Sequence, residues 1–180
     1  MSQYVAFLRG INVGGHRPLK MEDLREMITG LGFKNVATYI QSGNIIFNAD
    51  EEADRDFLAT KIKLQIEKTF GYDVPVIITI PADLNDALAA FPFDKREGWK
   101  GYISLLANKP INEQVRELEA FSSKIEKFEI QDTILFSIVD KQADEKPKFS
   151  NSFVEKKLGV PATTRNLRTI HKIIALADSS

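Results

Sequence analysis

The stretch "NVATYIQSGNIIFNA", residues 35–49, decides the fold. "NVATYI" and "NIIFNA" are rich in β-branched and aromatic residues, and they flank the polar, glycine-containing "QSGN" (41–44). That pattern predicts a β-hairpin. Upstream, "YVAFL" (4–8) is a nearly continuous apolar run, as a strand buried on both faces would be. Between the two lies "LKMEDLREMITGLG" (19–32), with Leu19, Met21, Leu24, Met27, Ile28 and Leu31 at helical spacing and Gly32 as a C-terminal stop. Downstream, residues 53–70 set Phe57, Leu58, Ile62, Leu64, Ile66 and Phe70 among charges, which predicts a second helix. Gly71 ends that helix, and "VPVIITI" (74–80) reads as another strand. The order is βαββαβ, a ferredoxin-like α+β unit.

The remainder repeats that order. "GYISLLA" (101–107) predicts a strand, "NEQVRELEAFS" (112–122) a helix, and "KFEIQDTILFSIV" (127–139) a hairpin turning at Gln131-Asp132. "SNSFVEKKLG" (150–159) predicts a helix and "VPATT" (160–164) a short strand. Set side by side, "EKTFGYDVPVIITIPADLNDALA" and "EKKLGVPATTRNLRTIHKIIALA" share a helix end, a glycine stop, Val-Pro, a strand and a final helix. The expectation is a tandem of ferredoxin-like repeats with mainly antiparallel sheets, each followed by a helix. An N-terminal half at 1–90 and a degenerate C-terminal repeat at 101–180 flank a connector at 91–100, "FPFDKREGWK".

Composition excludes several classes of function. The 180 residues are 43 % hydrophobic and 27 % charged, as in ordinary soluble domains. Twenty-four basic against twenty-five acidic residues leave a formal charge of −1, so nucleic-acid binding would need a local basic patch. There is no cysteine, hence no disulfide or thiolate chemistry, and two histidines do not make a zinc site without carboxylates. "MSQYVAFLRG" carries no secretory pattern, and no apolar run approaches the roughly 20 residues that span a bilayer. A cytoplasmic protein without a membrane partner, metal or resident cofactor is expected, with a monomer favoured.

Topology turns the element order into a site. In a βαββαβ unit the first two strands run parallel through a crossover and the third returns antiparallel. The loop after the first strand then lies at the same end of the sheet as the hairpin turn. That brings Arg9–Gly15 beside Gln41, Ser42, Gly43 and Asn44. The loop is no P-loop: Gly10 and Gly15 have the G-x-x-x-x-G spacing, but His16 and Arg17 stand where lysine and Ser/Thr belong, and Pro18 blocks direct helix entry. G-x-G-x-x-G is absent too. Two readings stay open: a nest of backbone N–H groups around an anion with Arg9 supplying charge, or glycines that only supply positive φ. Ser42 lies outside G-x-S-x-G, so its hydroxyl and the Asn44 amide are expected to bond the turn backbone. Tyr39 either packs across the hairpin or stacks on a ligand. His16 is the one titrating group in the loop, and His171 falls within the last helix and reads as structural.

From Lys146 to Lys172 seven lysines and arginines face Glu155 alone, apart from their neutral neighbours. "TTRNLRT" (163–169) is expected to open the last helix with Asn166 or Thr164 as N-cap. A helix N-terminus beside Arg165 and Arg168 would suit an anion, and an ordinary capped helix with a solvated basic face is the alternative.

"LRGINVGG" (8–15), "TYIQSGNIIF" (38–47) and "SNSFVEKKLGVPATTRN" (150–166) resemble the signature blocks of a bacterial family catalogued as domain of unknown function number 1697. The resemblance spans essentially the whole chain and keeps the family's block order. It implies an α+β fold of ferredoxin-like units and no established activity, cofactor or substrate. The family's shared positions correspond here to Arg9, Gly10, Asn12, Gly14, Gly15, Gln41, Ser42, Gly43, Asn44, Thr163, Thr164, Arg165 and Asn166. His16 departs from the polar or basic residue expected of relatives.

Three functions follow as expectations. In the first, a binding module holds a phosphorylated ligand, such as a nucleotide or an exposed nucleic-acid segment. Loop amides, Arg9 and Arg165 would hold phosphate, while Gln41 and Asn44 read polar edges. The aromatic RNA-binding motif of ferredoxin-like sheets is missing, so nucleic acid would be met through loops. The second is an enzyme acting on a small phosphorylated or carboxylated molecule in the same cleft, with His16 as its titrating group. The third is a protein-interaction module without a ligand.

Overall fold

The computed structural model describes residues 1–50 and 53–179. The chain divides into two compact units, Met1–Asn85 with Lys172–Ser180, and Asp86–His171.

In the first unit, β1 (Ser2–Leu8), α1 (Met21–Gly30), β2 (Lys34–Tyr39), β3 (Asn44–Ala49), α2 (Arg55–Phe70) and β4 (Val76–Thr79) follow one another, with α3 (Pro81–Ala89) beginning in this unit. The sheet order is β2-β3-β1-β4 and every neighbouring pair is antiparallel. Tyr4, Ala6, Leu8, Ile45 and Phe47 share a core with Leu24 and Ile28 of α1 and Leu58, Ile62 and Ile66 of α2. Val5, Phe7 and Ile46, on the opposite face, are fully buried as well. That is why β1 and β3 read as continuous apolar runs instead of alternating ones. Each such side chain is worth roughly 1.5–3 kcal/mol on burial, so this register leaves little room to slip. Leu19 precedes the first helix, which begins at Met21, three residues after Pro18. The Asp54 carboxylate accepts from Phe57 N at 2.9 Å at the start of α2. Gly71, at φ +75°, closes the helix by donating to Glu67 O at 2.9 Å.

The second unit holds β5 (Trp99–Leu106), α4 (Asn112–Glu119), β6 (Glu126–Gln131), β7 (Ile134–Asp140), α5 (Asn151–Leu158), β8 (Ala162–Asn166) and the start of α6 (Leu167–Asp178). Its sheet, β6-β7-β5-β8, is again antiparallel throughout and reproduces the first strand for strand. Leu106, Leu135 and Ala162 form a core with Leu118 of α4 and Val154 and Leu158 of α5. The repeat extends to the helix ends: Gly159, at φ +65°, donates to Glu155 O at 2.8 Å, as Gly71 does to Glu67. The fold is therefore α+β, with two ferredoxin-like sheets in tandem.

Three local expectations change. The second hairpin turns one residue later, because Gln131 still pairs with Ile134. The fourth helix ends at Glu119, with Ala120 as its C-cap, rather than running to 122. Residues 163–166 do not open a helix: they extend β8, where Thr163, Thr164, Arg165 and Asn166 pair with Leu105, Ser104, Ile103 and Tyr102. The ladder to a central strand overrides the helix signal, and α6 starts only after Asn166. Among the described residues no helix is long and apolar enough to cross a membrane.

Candidate functional site

The loop after β1 meets the β2–β3 turn, as the topology requires. Leu8 N donates to Gly43 O at 2.8 Å, and the Asn12 side chain donates to Gln41 O at 2.7 Å. Asn12 is the clamp of the loop. Its Nδ2 also donates to Leu19 O at 2.9 Å, and its Oδ1 accepts from Leu19 N at 2.7 Å. Its backbone N–H donates to Arg17 O at 3.2 Å. One side chain thus ties both ends of the loop to each other and to the neighbouring turn.

Positive φ recurs along the loop, at Gly10 (+69°), Asn12 (+53°), Gly14 (+57°), Gly15 (+77°) and Arg17 (+48°). This backbone folds the chain back on itself, so that His16 N donates to Val13 O at 2.9 Å. Gly14 and Gly15 stand exposed at the tip, and among the described residues their N–H groups donate to no acceptor. The fold-back also carries the Arg17 guanidinium over Gly10: a Cβ there would lie 3.4 Å from its Nη1. Arg17 is half-buried and makes no ion pair among the described residues. Arg9 is half-buried at the end of β1, its backbone N–H bonded to Pro75 O at 3.1 Å. His16 is exposed.

On the turn, Asn44 is fully buried, and its Nδ2 donates to Tyr39 O at 2.8 Å and to Ser42 Oγ at 3.2 Å. Ser42 and Asn44 therefore hold the turn, as expected from their types. Gly43, at φ +83°, has no room for a side chain, because a Cβ would come within 2.7 Å of Leu8 Cβ and Ile11 Cδ1. Gln41 is exposed and Tyr39 half-buried.

Thr164, Arg165 and Asn166 belong to the second unit. The Thr164 hydroxyl donates to Asn151 Oδ1 at 2.8 Å, so in the 2.6 Å contact with Ser104 Oγ the serine is the donor. Asn166 caps α6 by accepting from Thr169 N at 3.0 Å, which leaves Thr164 out of the cap. The cap oxygen occupies the position where an anion at that helix start would sit. Arg165 Nη1 donates to Thr164 O at 2.9 Å, and burial lowers its pKa from the ordinary guanidinium range to about 10. It remains a cation at neutral pH. Arg168 and His171 are exposed, so His171 has no core role. Lys157 pairs with Glu117 at 2.8 Å.

Other concavities have different chemistry. A groove of about 500 Å³ on the helical face of the first unit is lined by Asp23, Glu26, Met27, Leu31, Thr69 and Phe70 among others, without a cation. It does not suit an anionic ligand. Among the described residues no cluster of three or more His, Asp or Glu is placed to hold a metal. In the sequence Arg17 figures only as a mismatch to the P-loop template, and its place over Gly10 emerges from the fold. The available signal was its position two residues after Gly15, where a tight fold-back returns the chain toward Gly10.

None of the curated proteins matches the chain. Among solved structures it is similar to one titled the structure of conserved bacterial protein SP0830 from Streptococcus pneumoniae, with 24 % sequence identity, a TM-score of 0.72 and 98 % of each chain covered. That likeness shows the fold. Residues 1–136 match the family described as Protein of unknown function (DUF1697), and the chain belongs to that family.

Proposed function

We propose that the chain is a binding module for a phosphorylated ligand, seated where the loop after β1 meets the β2–β3 turn. The observation that supports this reading is the loop tip itself. Two exposed amides at Gly14 and Gly15 donate to no acceptor among the described residues, and the Arg17 guanidinium, without an ion pair among them, lies over Gly10. Backbone donors with a guanidinium beside them are the groups that hold phosphate oxygens. Arg9 adds a second positive charge, and Gln41 offers an exposed amide for a polar edge of the ligand. Asn12, Ser42, Gly43 and Asn44 act as the frame, since their bonds and packing fix the loop against the turn. The reading is confined to these residues, because the Thr164 hydroxyl and the Asn166 carboxamide are engaged within their own unit.

The test is a thermal-shift screen with inorganic pyrophosphate, nucleotides and short single-stranded RNA and DNA. A ligand at 100 times its dissociation constant adds about 2.7 kcal/mol of stability. The expected result is a shift that falls steeply with salt and is lost in Arg17→Ala. No shift with any phosphorylated ligand would end the reading.

A further inference from the structure

Two large apolar side chains are exposed to water in the loop and the turn that meet at this edge. Val13 is 63 % exposed on the loop, and Ile40 is 48 % exposed at the start of the turn. Each is the chain neighbour of a residue in the 2.7 Å bond between Asn12 and Gln41, which places both on the edge where the loop meets the turn. A single exposed aliphatic residue needs no explanation. Ile40 does, because it sits at φ +50°. The left-handed region is crowded for any residue with a Cβ and most of all for a β-branched one. Asparagine, which tolerates that region, occurs there at Asn12 and Asn35 in the same unit. An exposed isoleucine in such a conformation neither relaxes the backbone nor fills the core. Strain of this kind collects where a side chain is held out for a ligand.

From this we propose that Val13 and Ile40 form an apolar clamp for the flat, uncharged part of the ligand, which makes the ligand a nucleotide and not a bare phosphate or pyrophosphate. This rests on the anion-binding reading above and specifies it. The phosphates meet Gly14, Gly15 and Arg17, the base lies between the two aliphatic groups, and Gln41, next to Ile40 in the chain, offers hydrogen bonds to its edge. Branched aliphatic groups give a planar base contact area without selecting among bases. The clamp therefore separates nucleotides from simple phosphates more strongly than it separates one base from another.

Calorimetric titration of the full chain with adenosine diphosphate and with inorganic pyrophosphate tests this, using wild type, Ile40→Asn and Val13→Ser. The wild type is expected to bind the nucleotide about tenfold more tightly than pyrophosphate. Both variants are expected to lose most of that preference while keeping pyrophosphate affinity within about twofold. Ile40→Asn is also expected to melt no lower than wild type, since asparagine tolerates the backbone there. If pyrophosphate and nucleotide bind the wild type equally, or if the variants weaken both alike, the clamp is overturned and the anion site stands. A lowered melting temperature of Ile40→Asn would assign Ile40 to packing and overturn it too. If neither ligand binds the wild type, the clamp and the anion site fall together.

Discussion

Gly43 and Gly15 share a left-handed backbone but not a neighbourhood. Gly15 has nothing within 4 Å of where a Cβ would be, whereas at Gly43 two side chains lie at 2.7 Å, one of them through its own Cβ. Gly15→Ala should therefore cost only the conformational penalty, about 1–2 kcal/mol. Gly43→Ala adds overpacking of about 1–3 kcal/mol to that penalty, and urea denaturation of the two variants reads the difference directly. Asn12→Ala removes three side-chain bonds that tie the loop, and a loss of about 1–3 kcal/mol is expected. Arg165 supplies a pH test. Its buried guanidinium titrates at about 10, so it is charged in both folded and unfolded chains near neutrality and gives stability no slope there. A lysine starts from an ordinary value of about 10.4, and the same burial lowers it further. The unfolded Arg165→Lys chain then binds more protons than the folded one above the folded pKa. Its stability should rise with pH toward that ordinary value, while the wild type shows no such rise up to about pH 9. Equal slopes in the two proteins would show that burial does not govern this position. At this scale the sequence marked Gly43 and Asn12 by type and neighbourhood, since a glycine and an asparagine between periodic segments signal turns. It did not mark Arg17 or the strain at Ile40, because both follow from backbone dihedrals that no spacing encodes.

Elements were legible where their own pattern agreed with their partners. The first hairpin, the apolar strand before it and the three glycine-stopped helices stand where periodicity and stop signals put them, since burial on one or both faces selects those residues directly. The segment 163–166 is the instructive exception. Thr164 and Asn166 both carry N-cap chemistry; pairing with Ser104 and Tyr102 keeps all four residues in β8, and of the two expected caps Asn166 is the one that serves. A partner strand roughly 60 residues away, Ser104 against Thr164, makes that decision, and local reading has no access to it. Asn166→Ala is expected to destabilise the chain by about 1 kcal/mol through loss of the cap. Thr164→Val leaves that cap intact and is expected to cost about 1–3 kcal/mol by another route, since the buried Ser104 hydroxyl and Asn151 both lose their partner. A shift in denaturation midpoint at unchanged slope distinguishes the cap loss from a change in compactness.

At the scale of the molecule, the tandem sheets follow from one element order used twice, and the two strand orders match position for position. The repeat was readable because the same helix end, glycine and Val-Pro recur in both halves. The course of α6 was not readable, since Lys172–Ser180 belongs to the first unit while the helix begins in the second. Gln3 Nε2 donates to Ala177 O at 3.0 Å, and Ile173, Ile174 and Ala177 are buried. Deleting residues 172–180 should therefore lower the melting temperature, and removing two buried isoleucines alone is worth about 3–6 kcal/mol. An unchanged melting temperature would show that the end of α6 contributes nothing to the first unit. Phosphate binding at the loop after β1 is open to calorimetric titration of wild type and Arg17→Ala with adenosine diphosphate at low and at high salt. The expected result is binding by the wild type that weakens steeply with salt, and a loss of about tenfold to hundredfold in Arg17→Ala. Binding that is indifferent to both salt and Arg17, or no binding to the wild type at all, would contradict it.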